Sequence, residues 1–215
     1  MYIKRQIYIF TACCLIAVNA VAQSAEKVLD NAASVYESSN GITATFAANI
    51  RYEKEGISES FEGTIQMKGD KFLLITPDMR TWYDGKTQWS YQVRRGEVDI
   101  YNPSGDEELQ VINPMILLRT YKKGFDFSYV GESTADNGKM ADDVLLTSKG
   151  KNDIEKIEMQ VEKATSFPVR LTVIMKNGLR SVIRISKMQT GMNHPDQLFV
   201  FNPKDYPNVL ENDLR

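Results

Sequence analysis

Apolar and polar residues alternate along most of this chain. Ala44, Phe46, Ala48, Ile50 and Tyr52 alternate with Thr43, Thr45, Asn49 and Arg51. Phe61, Gly63, Ile65 and Met67 alternate with Glu62, Thr64, Gln66 and Lys68. A period of two sends successive side chains to opposite faces of a strand, so each segment predicts a strand with one wet and one buried face. Lys71 to Thr76 is apolar at consecutive positions, which predicts a strand covered on both faces. Arg80–Tyr83 and Thr87–Tyr91 flank Asp84-Gly85, a pair suited to the positive φ of a hairpin turn. Further strands are predicted at Glu97–Tyr101, at Phe125, Phe127 and Tyr129, at Val144–Thr147, and at Ile157, Met159 and Val161. Pro168–Met175 and Arg180–Lys187 form a last hairpin around Asn177-Gly178, and Leu198–Phe201 reads as a final short strand leading into an irregular strap. The sum is about eleven strands in sequence-adjacent hairpins, a mainly β, antiparallel sheet or barrel with a few short helices.

Two segments depart from this period. Val28, Leu29, Ala32, Val35 and Tyr36 recur at helical spacing between Ser24, a suitable N-cap, and the Asn40-Gly41 stop. Asn102 to Ile112 reads as a loop. It leads to Asn113-Pro114 and the unbroken run Met115, Ile116, Leu117, Leu118, a short helix expected over Pro114–Thr120. So short a helix is unstable alone, and so apolar a helix must cover something. The surface on offer is one face of the sheet, with Phe46, Ile50, Ile65, Met67, Met159, Val161, Leu171 and Val173 on it. Periodicity is equally compatible with a closed core and with a ligand cavity under a helical lid.

Residues 1–22 read as a cleaved signal peptide. Lys4 and Arg5 precede an apolar stretch, and Ala20-Val21-Ala22 is a small-x-small cleavage site. A lipoprotein signal ending at Cys13 is the rival reading, but its apolar core falls short of the usual ~7–15 residues. Cleavage after Ala22 leaves a single domain over 23–215 and removes both cysteines, so neither disulfide nor thiolate chemistry is expected. The net charge is −2 and the basic residues are dispersed, which argues against nucleic acid.

Catalytic equipment is sparse. The single histidine, His194, reads as an exposed loop residue. No G-x-S-x-G elbow and no P-loop occurs, and Asp136, Asp142 and Asp143 fit no calcium loop. The chain reads as a non-enzyme without metal or cofactor.

The motifs Gly63-Thr-Ile-Gln-Met-Lys68, Asp84-Gly-Lys-Thr-x-Trp-x-Tyr91, Asn113 to Leu118 and Phe199-Val-Phe-Asn-Pro203 resemble, in this order, those of the LolA family of periplasmic carriers. The resemblance covers nearly the whole mature chain. It implies a single incomplete antiparallel β-barrel closed by helical lids. It implies a monomeric periplasmic carrier that takes lipoprotein acyl chains, or another lipid, into the apolar face. An inner-membrane lipoprotein-releasing complex would load it, and an outer-membrane acceptor would unload it in bacteria that have one. Related half-barrels are lipid-binding, lipid-sensing or interaction modules, the alternative reading. The twelve residues Phe46, Ile50, Ile65, Met67, Met115, Ile116, Leu117, Leu118, Met159, Val161, Leu171 and Val173 are the expected cavity and lid. One departure stands out. The family holds its lid with an arginine just after the first motif, where this chain has Gly69-Asp70. Lid control should therefore differ.

Overall fold

The computed structural model describes residues 25–105, 113–150 and 153–215. The expected signal peptide, Ser24 and most of the expected 102–112 loop lie outside the described residues. Helix α1 occupies 25–38. Its buried residues Ala25, Leu29, Ala32 and Tyr36 fall three or four apart, the stripe that a helix lays on a sheet. The helix stops where Asn40 and Gly41 turn to φ 48° and 101°.

Six strands follow: β1 (Ile42–Tyr52), β2 (Ile57–Lys68), β3 (Lys71–Ile75), β4 (Met79–Tyr83), β5 (Gln88–Gln92) and β6 (Glu97–Tyr101). A 3-10 turn, Pro114–Ile116, runs into helix α2 (Leu117–Gly124). The second meander is β7 (Phe125–Thr134), β8 (Met140–Ser148), β9 (Ile154–Glu162), β10 (Pro168–Met175) and β11 (Arg180–Thr190), and β12 (Leu210–Asp213) comes last. All twelve form one sheet in the order β12-β6-β5-β4-β3-β2-β1-β11-β10-β9-β8-β7. The β1–β11 pairing, from Ile42 opposite Thr190 to Arg51 opposite Arg180, joins the two meanders. The sheet ends at β12 and β7 without closing, an incomplete barrel.

The Asp84-Gly85 hairpin forms as expected. Asp84 Oδ1 accepts the N–H groups of Lys86 and Thr87, both at 2.8 Å, and Gly85 has φ +100°. Trp82 and Trp89 pair across it. Gly63 is glycine for want of space. It pairs with Phe46, and a Cβ there would lie 2.4 Å from the Phe46 ring and 2.8 Å from the Ile75 carbonyl.

Three details differ from the sequence reading. The helix expected to end at Thr120 continues to Gly124, because Tyr121 prolongs its buried stripe. Leu198–Phe201 is not a strand. Asp196–Phe199 is a 3-10 turn, and the segment packs on a sheet face. Strands β3 and β4 beneath it already have partners on both sides, so they offer it no edge. The last strand among the described residues is β12, which pairs with β6 in parallel, while their other strand pairs are antiparallel.

The sheet separates two apolar clusters. The inner face, covered by α1 and α2, carries Phe72, Leu74 and Tyr83. The outer face carries Leu73, Trp82, Val98 and Ile100 under Phe199 and Phe201 of the strap. Strand β3 is thus covered on both faces, as its unbroken apolar run requires.

Candidate functional site: the helix-covered inner face

The inner face is a continuous apolar surface. Met159 of β9 lies opposite Leu171 of β10 and Val144 of β8, and Ile157 lies opposite Val173 and Leu146. Ile65 and Met67 extend it to β2. Against it rest Leu29 and Ala32 of α1, and Met115, Ile116, Leu117, Leu118 and Tyr121 around α2.

Both helices meet the sheet at Met67. Its thioether sulfur receives the Tyr36 hydroxyl of α1 at 3.7 Å and the Asn113 side-chain amide at 3.6 Å. Asn113 is also the start signal of the α2 segment, its Oδ1 accepting the Met115 N–H at 3.1 Å. Sulfur is a weak acceptor, so these contacts orient the helices more than they hold them.

The polar fastening is at the rim. Arg119 of α2 pairs with Asp70 in the β2–β3 turn. In the same turn Gly69, at φ +57°, turns its carbonyl to the Tyr36 hydroxyl at 3.2 Å. No arginine stands at Gly69; one reaches the turn from the helix, with the carboxylate on the sheet. At the other side of α2, the Tyr121 hydroxyl donates to Asp30 of α1 at 2.6 Å, and Lys122 pairs with Asp30 at 2.8 Å and Glu26 at 3.1 Å. Lys122, then Tyr121, hold the Asp30 carboxyl below its usual range. Burial, then Asp30, push the Tyr121 hydroxyl up. Burial pushes Tyr36 up to about 12, against the opposing charge of Arg119. These ion pairs are half-exposed or more on at least one side, so solvent screens them and leaves each weak. The apolar contact, not the rim, holds α2 in place.

Of the twelve expected residues, ten are buried in this single cluster: Ile65, Met67, Met115, Ile116, Leu117, Leu118, Met159, Val161, Leu171 and Val173. Phe46 is half-buried and packs at its margin, where its ring lies over Gly63. Ile50 is not in the cluster; it sits near the far end of β1, beyond Phe46 and opposite Ser181 and Glu59. The sequence reading missed Phe72 and Tyr83 of the inner face, and the rim groups Asp30, Asp70, Arg119 and Lys122. A stripe of charge beside each apolar run was the available signal, but not the pairing.

His194 is buried, not exposed as its loop sequence suggested, because its ring packs edge-on to Phe199. Among the described residues its Nε2 meets the Thr43 hydroxyl at 3.1 Å and the Ile42 carbonyl at 3.2 Å, and no carboxylate of theirs orients it as a base. Among the described residues no three His, Cys, Asp or Glu side chains are grouped to hold a metal. Nor is any helix among them long and apolar enough to cross a membrane.

An open antiparallel half-barrel with an apolar face under two short helices is the architecture of the LolA-like proteins. The chain belongs to the LolA family: the family model described as outer membrane lipoprotein carrier protein LolA matches residues 15–178. No curated protein sequence matches the chain. Among solved structures, an uncharacterized conserved protein from Thermus thermophilus superposes with a TM-score of 0.59 at 15% identity, covering 87% of this chain and 98% of that one. A LolA superfamily protein from Nitrosomonas europaea gives 0.48 at 14% identity, covering 84% and 98%. MucB gives 0.49 at 17% identity, covering 84% of this chain and 63% of MucB. At such identities the likeness concerns the fold alone.

Proposed function

We propose that this protein is a periplasmic carrier that shelters lipoprotein acyl chains against its inner face and moves them from the inner to the outer membrane. The observation that supports the reading is the apolar inner face covered by α2, eight residues long and fastened at its rim by weak, exposed ion pairs. An acyl chain enters between the sheet and α2, and Ile116, Leu117 and Leu118 close over it, so a charge at Leu117 would face the chain.

The balance is physically reasonable. A fully buried chain of about sixteen carbons gains roughly 12 kcal/mol at ~0.8 kcal/mol per methylene. Moving Met115, Ile116, Leu117 and Leu118 off the sheet to admit the chain gives up part of that, so net affinity is far lower than the gross burial. A carrier that must release its cargo needs such an offset. Met67, Met115 and Met159 suit a surface that accepts chains of varied shape. The carrier works without catalysis. Loading draws on an inner-membrane releasing complex, and unloading on the outer membrane or an acceptor there.

The test is release. Inner-membrane vesicles bearing newly made lipoproteins, given the energised releasing complex and this protein, should yield a soluble lipoprotein–carrier complex. Lipoproteins that stay in the vesicles while a bona fide carrier releases them would overturn the proposal.

A further inference from the structure

We propose a second binding site on the outer face, for a small amphiphile that carries a carboxylate or phosphate. The site is a groove of about 790 Å³ between the sheet and the strap. That volume lies within the ~300–1,000 Å³ of small-molecule pockets. Leu73 and Ile75 of β3 and Trp82 of β4 form its floor; Leu198, Phe201 and Tyr206 form its wall. The aromatic rings are locked together. Trp82 meets Phe201 at 5.4 Å and 66°, and Tyr206 at 5.6 Å and 82°. The groove is therefore preformed, with apolar surface left open to water at Leu198 and Val200.

Arg80 supplies the charge. It lines the groove on the same strand face as Trp82, and its Nη1 donates to the Tyr206 hydroxyl at 2.8 Å. Its guanidinium also lies 5.9 Å from the Tyr206 ring centroid. Among the described residues no carboxylate pairs with it. A guanidinium held by an aromatic ring, with N–H donors to spare beside an apolar trough, is ordered to receive an anionic group bidentately. Asp205 also lines the groove, on the strap side, where it accepts from Asn202 at 3.2 Å. Its charge directs the anionic end away from the strap and towards Arg80. The apolar end then lies along Trp82, Leu73 and Ile75. This site lies across the sheet from the inner face and does not depend on the carrier reading.

Both tryptophans report on this face, because Trp82 and Trp89 are paired and both join the outer cluster. The experiment is an intrinsic-fluorescence titration of the full-length protein with dodecanoate and with dodecyl phosphate, below their micelle concentrations. Dodecanol and inorganic phosphate are the uncharged and chainless controls. Both amphiphiles should give a saturable change, with dodecanol at least roughly tenfold weaker, since a charge-assisted pair to arginine is missing. Inorganic phosphate should give no signal. Arg80→Gln should bring dodecanoate to the affinity of dodecanol, while Leu117→Asp on the inner face leaves the titration unchanged. No saturable change, saturation by inorganic phosphate alone, or wild-type affinity in Arg80→Gln would overturn the site. So would loss of the signal in Leu117→Asp with its retention in Arg80→Gln, which would place the chain on the inner face.

Discussion

Replacing Leu117 by aspartate separates a lid from a fixed piece of core. Leu117 has no exposed surface and packs in the inner-face cluster. Truncating such a leucine to alanine in a rigid core costs ~2–5 kcal/mol, and an unpaired buried carboxylate costs more. A lid caps that cost at the free energy of its own docking. Met115, Ile116, Leu117, Leu118 and Tyr121 gain ~1.5–3 kcal/mol each by burial, or roughly 7–15 kcal/mol together. Ordering the ten residues Met115–Gly124 costs ~1–2 kcal/mol each, or roughly 10–20 kcal/mol. The two nearly cancel, so net docking is worth a few kcal/mol at most. Leu117→Asp should then leave α2 undocked and the sheet intact. At ~2–4 °C per kcal/mol the melting temperature should fall by less than ~10 °C. Hydrogen exchange should lose protection at 113–124 but not in β1, β2 or β9, and binding of an environment-sensitive acyl probe should fail. A drop well beyond ~10 °C, with protection lost throughout the sheet, would show α2 to be fixed core. A stable variant that binds the probe like wild type would refute the lid assignment from the other side.

Arg119→Gln removes the Arg119–Asp70 pair, worth ~0–1 kcal/mol, so opening of α2 by hydrogen exchange should rise up to about fivefold with little change in melting; no increase means the pair does not fasten the lid. Gly63→Ala pushes a methyl into the Phe46 ring and the Ile75 carbonyl, an overpacking cost of ~1–3 kcal/mol that should lower the melting temperature by a few degrees or more; an unchanged melting curve would show that the ring yields freely. Acid should loosen the clasp between the helices. The Asp30 carboxyl is lowered in the folded protein from 3.8, so its contribution is complete above that value and is lost as pH falls through the depressed one. Acyl-probe uptake should therefore quicken only in that acid window, and Asp30→Asn should remove the dependence; a change centred near neutrality would point to another group.

Much of the fold was legible because alternation is a local property. The long strands of both meanders, the Asp84-Gly85 turn and the Asn113 start of the α2 segment each declare themselves within a few residues. The inner-face set was legible for the same reason: Ile65 and Met67, or Met159 and Val161, recur at a period that admits one face only. What was lost depends on distant partners. β12 is a strand only because β6 offers it an edge, and nothing in Leu210–Asp213 predicts that. Leu198–Phe201 has the composition of a strand but no edge to pair with, so it serves as a strap. His194 looks like a loop residue until Phe199 covers it. The rim pairs join residues as far apart as Asp30 and Lys122, a distance that no periodicity encodes. Ile50 follows the alternation faithfully, yet the strand carries it past the end of the apolar cluster.

The most direct test of the carrier reading is to identify what the protein holds in its own compartment. The protein should be purified gently from the periplasm of its native host, without detergent, and its bound lipids extracted for mass spectrometry. The account predicts diacylated or triacylated polypeptides at near-stoichiometric amounts from wild type, and their loss from Leu117→Asp. Free fatty acids or glycolipid without acylated polypeptide, or the same yield from both proteins, would contradict it.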